Sequence, residues 1–122
     1  MRFSKDHEFI DASGGVGTIG ISEHAQEQLG DIVFVDLPKV GAVFKAGDPA
    51  AVVESVKAAS DVFCPAAGEV VAVNDKLVRE PSLVNEDAQG RGWLFKIKLA
   101  NESAIDALMD ESAYADFLKT IV

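Results

Sequence analysis

One lysine, Lys57, stands in the middle of a run rich in small, apolar and β-branched residues that extends from Val52 to Val62. Two glycines flank it at nearly equal distances, since Gly47 lies ten residues before it and Gly68 lies eleven residues after it. A charged side chain buried in the middle of a strand would need a partner for its charge. The pattern therefore predicts a hairpin with Lys57 at its tip, in water, where its amine is open to covalent modification.

The segments on either side of this tip follow each other in near-mirror order. Strands are predicted at residues 43–44 and 50–55 before the lysine and at residues 58–63 and 69–73 after it, with glycine-containing turns at 47–49 and 65–68. This weak internal repeat predicts two similar halves packed as a flattened barrel or sandwich.

The N-terminal part of the chain adds further strands and one short helix. Residues 8–12 and 16–21 are predicted strands joined by a Ser-Gly-Gly turn, and the glycines of the second strand indicate close backbone approach or a bulge. Ser22 is the predicted N-cap of a helix that Gly30 ends, and a strand follows at 31–37.

The last third of the chain is predicted to be less regular. A helical turn is expected at 74–78, a loop at 80–82, a flexible connection at 90–92 and a final strand at 93–99. Asn101 can cap a short helix, and a second helix from Glu111 is expected to pack on the sheets. The apolar face predicted for it consists of Ala113, Tyr114, Phe117, Leu118 and Ile121.

These patterns predict a mainly β fold with α-helices, of the α+β class. We expect one domain over residues 1–122, with a barrel-sandwich core at about 16–99 and a helical tail at about 101–122. A chain of 122 residues with 48% hydrophobic composition suits one such core.

Charge and cysteine content limit the function classes. Eleven basic and twenty acidic residues give a net charge of −9, which disfavours nucleic-acid binding because phosphates require a basic surface. A single cysteine, Cys64, fits a reducing compartment. Neither a signal peptide nor a membrane-spanning run is recognisable. We expect a cytoplasmic, bacterial-type, monomeric protein, with a mitochondrial matrix location as the alternative.

The residues alone leave other roles for Lys57 open. It could be an ordinary solvated lysine, or a nucleophile in an enzyme, as Cys64 could be. A nucleophilic lysine needs a neutral amine, whereas Glu54 and Asp61 nearby favour the ammonium. Cys64 is expected to be a half-buried, inert thiol, and two histidines with one cysteine give no metal-ligand spacing.

Several blocks of the sequence follow one another along the chain: residues 6–9 (DHEF), 20–26 (GISEHAQ), 28–38 (QLGDIVFVDLP), 54–58 (ESVKA) and 65–70 (PAAGEV), followed by Asn74, Pro81, Asn85 and Gly92-Trp93. In this order they resemble the glycine cleavage system H proteins. The resemblance covers most of residues 3–99. It implies a lipoyl-domain-like fold in a non-catalytic carrier whose Lys57 bears lipoic acid as an amide.

The resemblance also implies partners and further site residues. Lipoate ligase or octanoyltransferase would modify Lys57, and glycine decarboxylase, aminomethyltransferase and dihydrolipoyl dehydrogenase would act on the arm. By position, Glu8 and Asp61, with Asp6 and His7 as further candidates, would shelter the loaded arm. Recognition by the lipoylating enzyme is assigned to the residues next to the lysine, which are Glu54, Ser55, Val56 and Ala58.

Related carriers remain as alternatives. A lipoyl relay protein would share this chemistry. A biotinyl carrier usually has methionines beside its lysine, where this chain has Val56 and Ala58, and a lipoyl domain of a 2-oxoacid dehydrogenase would be shorter and joined to Ala/Pro-rich linkers. Residues 88–91 depart from the family pattern, in a loop expected to help cover the arm.

Overall fold

Nine strands form two antiparallel sheets in the computed structural model, which describes residues 1–121. The strands are β1 (Arg2–Phe3), β2 (Glu8–Ser13), β3 (Val16–Ile21), β4 (Ile32–Asp36), β5 (Val43–Phe44), β6 (Pro49–Ser55), β7 (Ala59–Phe63), β8 (Gly68–Val73) and β9 (Phe95–Leu99). The helices are α1 (Glu23–Leu29), α2 (Lys76–Arg79), α3 (Leu83–Glu86) and α4 (Glu111–Thr120), with a 3-10 helix at Glu102–Ala107. The predicted mainly β fold with short helices is confirmed.

The sheet topology is nested around the lysine tip. The six-stranded sheet has the order β1-β2-β3-β9-β8-β5, and the three-stranded sheet has the order β4-β6-β7. The inner strands β6 and β7 pair with each other in the small sheet, whereas the outer strands β5 and β8 pair in the large one. The chain thus leaves the large sheet, forms the hairpin in the small sheet and returns, which explains the mirror order in the sequence.

A single apolar cluster joins the two sheets. Ile19, Phe95 and Ile97 come from the large sheet and Val53 and Val62 from the small one, and each is at most 2% exposed. Truncating one such side chain to alanine typically costs about 2–5 kcal/mol, because it removes apolar burial and leaves a cavity. This cluster holds the hairpin strands rigidly against the rest of the molecule.

The glycines of β3 permit close packing against β2, as expected. A Cβ atom at Gly17 would lie 2.6 Å from Cδ1 of Ile10, and one at Gly20 would lie 2.6 Å from Cε2 of Phe9. The side chains of β2 therefore occupy the space that larger residues on β3 would need. This packing fixes the start of β2, where Glu8 lies.

The C-terminal tail packs on β1 as a second apolar cluster. Asn101 caps the 3-10 helix and Asp110 caps α4, each through a side-chain oxygen that accepts from a backbone N–H. The Tyr114 ring stacks on Phe3 with the ring centroids 4.3 Å apart. The predicted apolar face is wrong in part: Ala113 is exposed, and Ile121 lies beyond the last helical residue and is 47% exposed. The last residue of the predicted tail, Val122, lies outside the described residues.

The segment before β9 is more ordered than predicted. The short helix α3 follows the predicted loop, and β9 begins at Phe95 rather than at Trp93. The predicted flexible connection at 90–92 is wrong, because Gly92 is buried and a Cβ atom there would lie 2.7 Å from the carbonyl oxygen of Leu83. The glycine serves close packing against α3.

Candidate functional site

Lys57 is exposed in the three-residue connection between β6 and β7. The Ser55 hydroxyl organises this turn: it accepts from the backbone N–H groups of Lys57 and Ala58, both at 3.1 Å, and can donate to the Ala58 carbonyl at 3.2 Å. The N–H of Val56 donates to the carbonyl of Asp31 at 3.1 Å, which ties the tip to the segment before β4. The tip therefore has a defined shape.

The four residues assigned to recognition by a lipoylating enzyme divide into two kinds. Glu54, Val56 and Ala58 are exposed beside the lysine. Ser55 is only 9% exposed, and its hydroxyl is engaged with the turn itself. A role for Ser55 would thus be to hold the tip in shape, while the three exposed residues can contact another protein.

The stem of Lys57 lies next to the C-terminal end of α1. Gly30 ends this helix with φ +81°, and a Cβ atom there would lie 3.6 Å from Cε and 3.9 Å from Nζ of Lys57. Glycine therefore serves two purposes, since it adopts the left-handed backbone region and leaves room beside the lysine.

A cleft of about 400 Å³ contains all four residues predicted to shelter an arm. Its walls come from the start of β2, from α1, from the middle of β6 and β7, and from the end of the tail. The lining residues are Asp6, His7, Glu8, Ile21, His24, Ala25, Gln28, Leu29, Val53, Ser60, Asp61, Val62 and Ile121. The structure thus brings Glu8 together with Asp61, which lies 53 residues away in sequence.

Glu8 is a buried carboxyl group, 2% exposed. Its Oε1 accepts from the Ser4 hydroxyl at 2.5 Å, and its Oε2 accepts from the Phe63 N–H at 3.4 Å. Burial raises the pKa of Glu8 to about 7, with a smaller rise from Asp6, and the two hydrogen bonds oppose that rise. The carboxyl group is therefore poised to change protonation state near neutral pH.

A hydrogen-bonded chain links the cleft to the C-terminal helix. The Tyr114 hydroxyl lies 2.8 Å from Nδ1 of His7 and 2.7 Å from the hydroxyl of Ser22, which caps α1. His7 has an unusual φ of +67° and lies beside His24, with the ring centroids 4.9 Å apart. Burial and the neighbouring His24 lower the pKa of His7, and Asp6 partly opposes them.

Sequence reasoning missed several of the residues that build this cleft. His24, Gln28 and Leu29 of α1 line the cleft, although none of them is among the predicted site residues. The spacing of His24 and Gln28, one helical turn apart on the helix capped by Ser22, is a local signal that they share a face. For Tyr114, 107 residues from His7, the sequence contains no local signal.

Cys64 lies outside this cleft and is 0% exposed, so the thiol is more deeply buried than predicted. It donates to the carbonyl of Ala66, and burial raises the pKa of the Cys64 thiol to about 11. A thiol with so little thiolate at neutral pH is a poor nucleophile. Among residues 1–121, no group of three or more His, Cys, Asp or Glu side chains could hold a metal ion.

The unusual loop at 88–91 lies next to α1 and is not among the lining residues of the cleft. The Gln89 side chain accepts from the N–H of Glu23, the first residue of α1, at 3.0 Å. Nε of Arg91 lies 3.6 Å from Oδ2 of Asp87, and its Nη2 lies 3.9 Å from Oε1 of Glu86. A larger cavity of about 720 Å³ extends from Asn74 to Trp93 and contains none of the predicted site residues.

The two antiparallel sheets, with an exposed lysine at a hairpin tip, have the architecture of the lipoyl-domain-like class of proteins. The model of the glycine cleavage H-protein family matches residues 1–121. The chain therefore belongs to the glycine cleavage H-protein family. This family comprises the lipoyl carriers of the glycine cleavage system. In the described part of the chain, no helix has the length and apolar character needed to cross a membrane.

The relatives match this chain from end to end. A glycine cleavage system H protein of Beijerinckia indica is 57% identical over 120 residues, covering 98% of this chain and 97% of that protein. One from Xanthobacter autotrophicus is 54% identical over 121 residues, covering 99% and 97%. The crystal structure of such a protein from Mycobacterium marinum superposes with a TM-score of 0.87 at 39% identity, covering 96% of this chain and 94% of that one.

Proposed function

We propose that this chain carries lipoic acid as an amide on Lys57. The arm would take an aminomethyl group from the pyridoxal-phosphate glycine decarboxylase to the tetrahydrofolate-dependent aminomethyltransferase, and dihydrolipoyl dehydrogenase would reoxidise it. Lipoate ligase or octanoyltransferase would modify the lysine. The chemistry would belong to these enzymes, with this protein as their shared carrier. When bound, the lipoyl group supplies a disulfide that opens and closes with two electrons.

One observation supports the proposal most directly: this member of the H-protein family has an exposed lysine at an ordered hairpin tip. The same chain also forms an acidic cleft. An amine at the tip is accessible to a modifying enzyme. The cleft of about 400 Å³ has a buried carboxyl group, Glu8, which suits a cationic group at the end of an arm.

The residues of the cleft would hold an ammonium in two ways. Ionised Glu8 would accept a charge-assisted hydrogen bond from it, and Asp61 would add negative charge. The lowered pKa of His7 keeps its imidazole neutral at pH 7, so that it does not repel a cation. Keeping the proton on the nitrogen leaves no free lone pair to take part in release of the group.

Replacing Lys57 with arginine tests the attachment. Lys57→Arg retains a positive charge at an exposed position but offers no amine that these enzymes acylate. We expect no lipoyl mass increment on this variant from lipoylating cells and loss of glycine-dependent activity with the three purified partner enzymes. The control is Lys45→Arg, at another exposed lysine, which should retain both.

The wild-type protein supplies the decisive comparison. Peptide mapping should place one lipoyl increment on residue 57. A bare lysine from cells that lipoylate other proteins, or full activity of Lys57→Arg, would contradict the proposal.

A further inference from the structure

A β-bulge next to the lysine tip turns two apolar side chains outward in succession. Ile32 pairs with Ser55 and Phe34 pairs with Glu54, so Val33 is an extra residue without its own partner on β6. Val33 is 53% exposed and Phe34 is 49% exposed. In a regular strand, one of these two successive side chains would be buried. A bulge changes the direction in which side chains point, and bulges are frequent beside functional sites.

A third exposed apolar residue lies on the tip itself. Val56 is 68% exposed, directly precedes Lys57 and donates its N–H to the carbonyl of Asp31, next to β4. Val33, Phe34 and Val56 therefore lie on adjoining segments beside the lysine, and together we call them the tip patch. The exposed acids next to it in sequence or register are Asp31, Asp36 and Glu54.

The segments of the tip patch thus expose three apolar side chains together with three acidic ones. A single exposed valine needs no explanation, whereas apolar side chains grouped beside a modification site mark an interaction surface. The surface that would complement the tip patch is a protein surface with an apolar pocket surrounded by lysines or arginines.

We propose that the tip patch is the docking surface for the enzyme that attaches the lipoyl or octanoyl group to Lys57. This inference rests on the proposed function, because it assumes that the lysine is modified. It adds Val33 and Phe34, on a different strand, to the residues that flank the lysine in sequence.

The geometry of the attachment reaction favours this occupant over the other partners. The Lys57 amine attacks the carbonyl carbon of an activated acyl donor, a C–N bond forms, the bond to the donor's leaving group breaks and the nitrogen loses one proton. The enzyme's active site must therefore reach Nζ itself and cover the residues around it. Enzymes that act on the dithiolane work at the far end of a long arm.

The test is the kinetics of lipoylation of the full-length unmodified protein, with lipoate, ATP and a purified bacterial lipoate ligase. We expect Phe34→Ala to raise KM for the carrier about tenfold, with kcat unchanged, because about half of a phenylalanine surface is lost from the contact. Val33→Ala should have a smaller effect in the same direction. Phe34→Leu, which remains apolar, should restore most of the affinity.

Two controls separate docking from misfolding. Val43→Ala removes a 73% exposed valine from β5, in the other sheet, and should leave KM unchanged. Phe34→Ala that has been fully lipoylated at high ligase concentration and then chemically reduced to the dihydrolipoyl form should be reoxidised by dihydrolipoyl dehydrogenase at the wild-type rate.

The test distinguishes failure of the docking inference from failure of the proposed function. If neither the ligase nor a purified octanoyltransferase modifies the wild-type protein, the proposed function fails together with the inference. If the ligase modifies wild-type and Phe34→Ala equally well, only the docking surface is overturned. A dimer in solution that Phe34→Ala dissociates would also overturn it, since the patch would then be covered by a second copy.

Discussion

Glu8 couples the protonation of the cleft to the stability of the fold. Its pKa rises from an ordinary 4.5 to about 7 on folding, so the folded state binds a proton more tightly than the unfolded state. The stabilising effect of the neutral carboxyl is fully present below pH 4.5 and is lost as pH rises through 7. We expect Glu8→Gln to be more stable than wild type at pH 8, by about 1–3 kcal/mol, and similar to it at pH 4.5.

Urea unfolding of the two proteins at pH 4.5, 6 and 8 measures this difference. Asp11→Asn, at an exposed acid of the same strand, is the control for the loss of one negative charge. A constant offset between Glu8→Gln and wild type across this range would show that the carboxyl of Glu8 does not titrate as inferred.

At the scale of the element, the turn of the β6–β7 hairpin depends on the hydroxyl of Ser55. Ser55→Ala removes the acceptor for the N–H groups of Lys57 and Ala58, which are near water and can be partly resolvated. We therefore expect a loss of only about 1 kcal/mol in the free energy of unfolding, with faster amide hydrogen exchange at residues 57 and 58. Lipoylation should slow severalfold because the tip is less ordered before it is bound.

Ser112→Ala, at an exposed position of α4, is the matched control and should leave both exchange and lipoylation unchanged. Slower lipoylation of Ser55→Ala without faster exchange at the tip would instead assign Ser55 a direct contact with the modifying enzyme.

The same hairpin shows why some elements can be predicted from sequence. The tip follows from one lysine in an apolar run with glycines at matched distances, since each of these is a local signal. The bulge at Val33 could not be predicted, because the run Ile32–Val35 is apolar throughout and has no alternation to break. The helix α3 and the packed Gly92 likewise depend on contacts that the local sequence does not reveal.

At the scale of the whole molecule, the tip and the cleft are built from different parts of the chain. The tip is held by β4, β6 and β7, whereas the cleft also requires β2, α1 and the C-terminal tail. The resemblance to a family supplied Glu8 and Asp61 as cleft residues. It did not supply Tyr114, because a contact 92 residues from Ser22 and 107 from His7 has no local pattern.

This division predicts that one hydroxyl in the tail affects sheltering and not attachment. Tyr114→Phe retains the ring that stacks on Phe3 but removes the bridge between His7 and the Ser22 cap. We expect a loss of about 1–2 kcal/mol in the free energy of unfolding, because the bridge is largely buried. Lipoylation of Lys57 should proceed at the wild-type rate, whereas the arm loaded with an aminomethyl group should lose it several times faster in water.

Mass spectrometry of the loaded protein over time measures that loss, with Thr120→Val in the same helix as the control. We expect Tyr114→Phe to change the rate of aminomethyl loss without changing the rate of lipoylation. The reason is that the hydroxyl of Tyr114 contacts cleft residues, whereas the lysine tip is held by other residues. Equal slowing of lipoylation in Tyr114→Phe would show that the tail also controls the tip, and that the cleft and the hairpin form one cooperative unit.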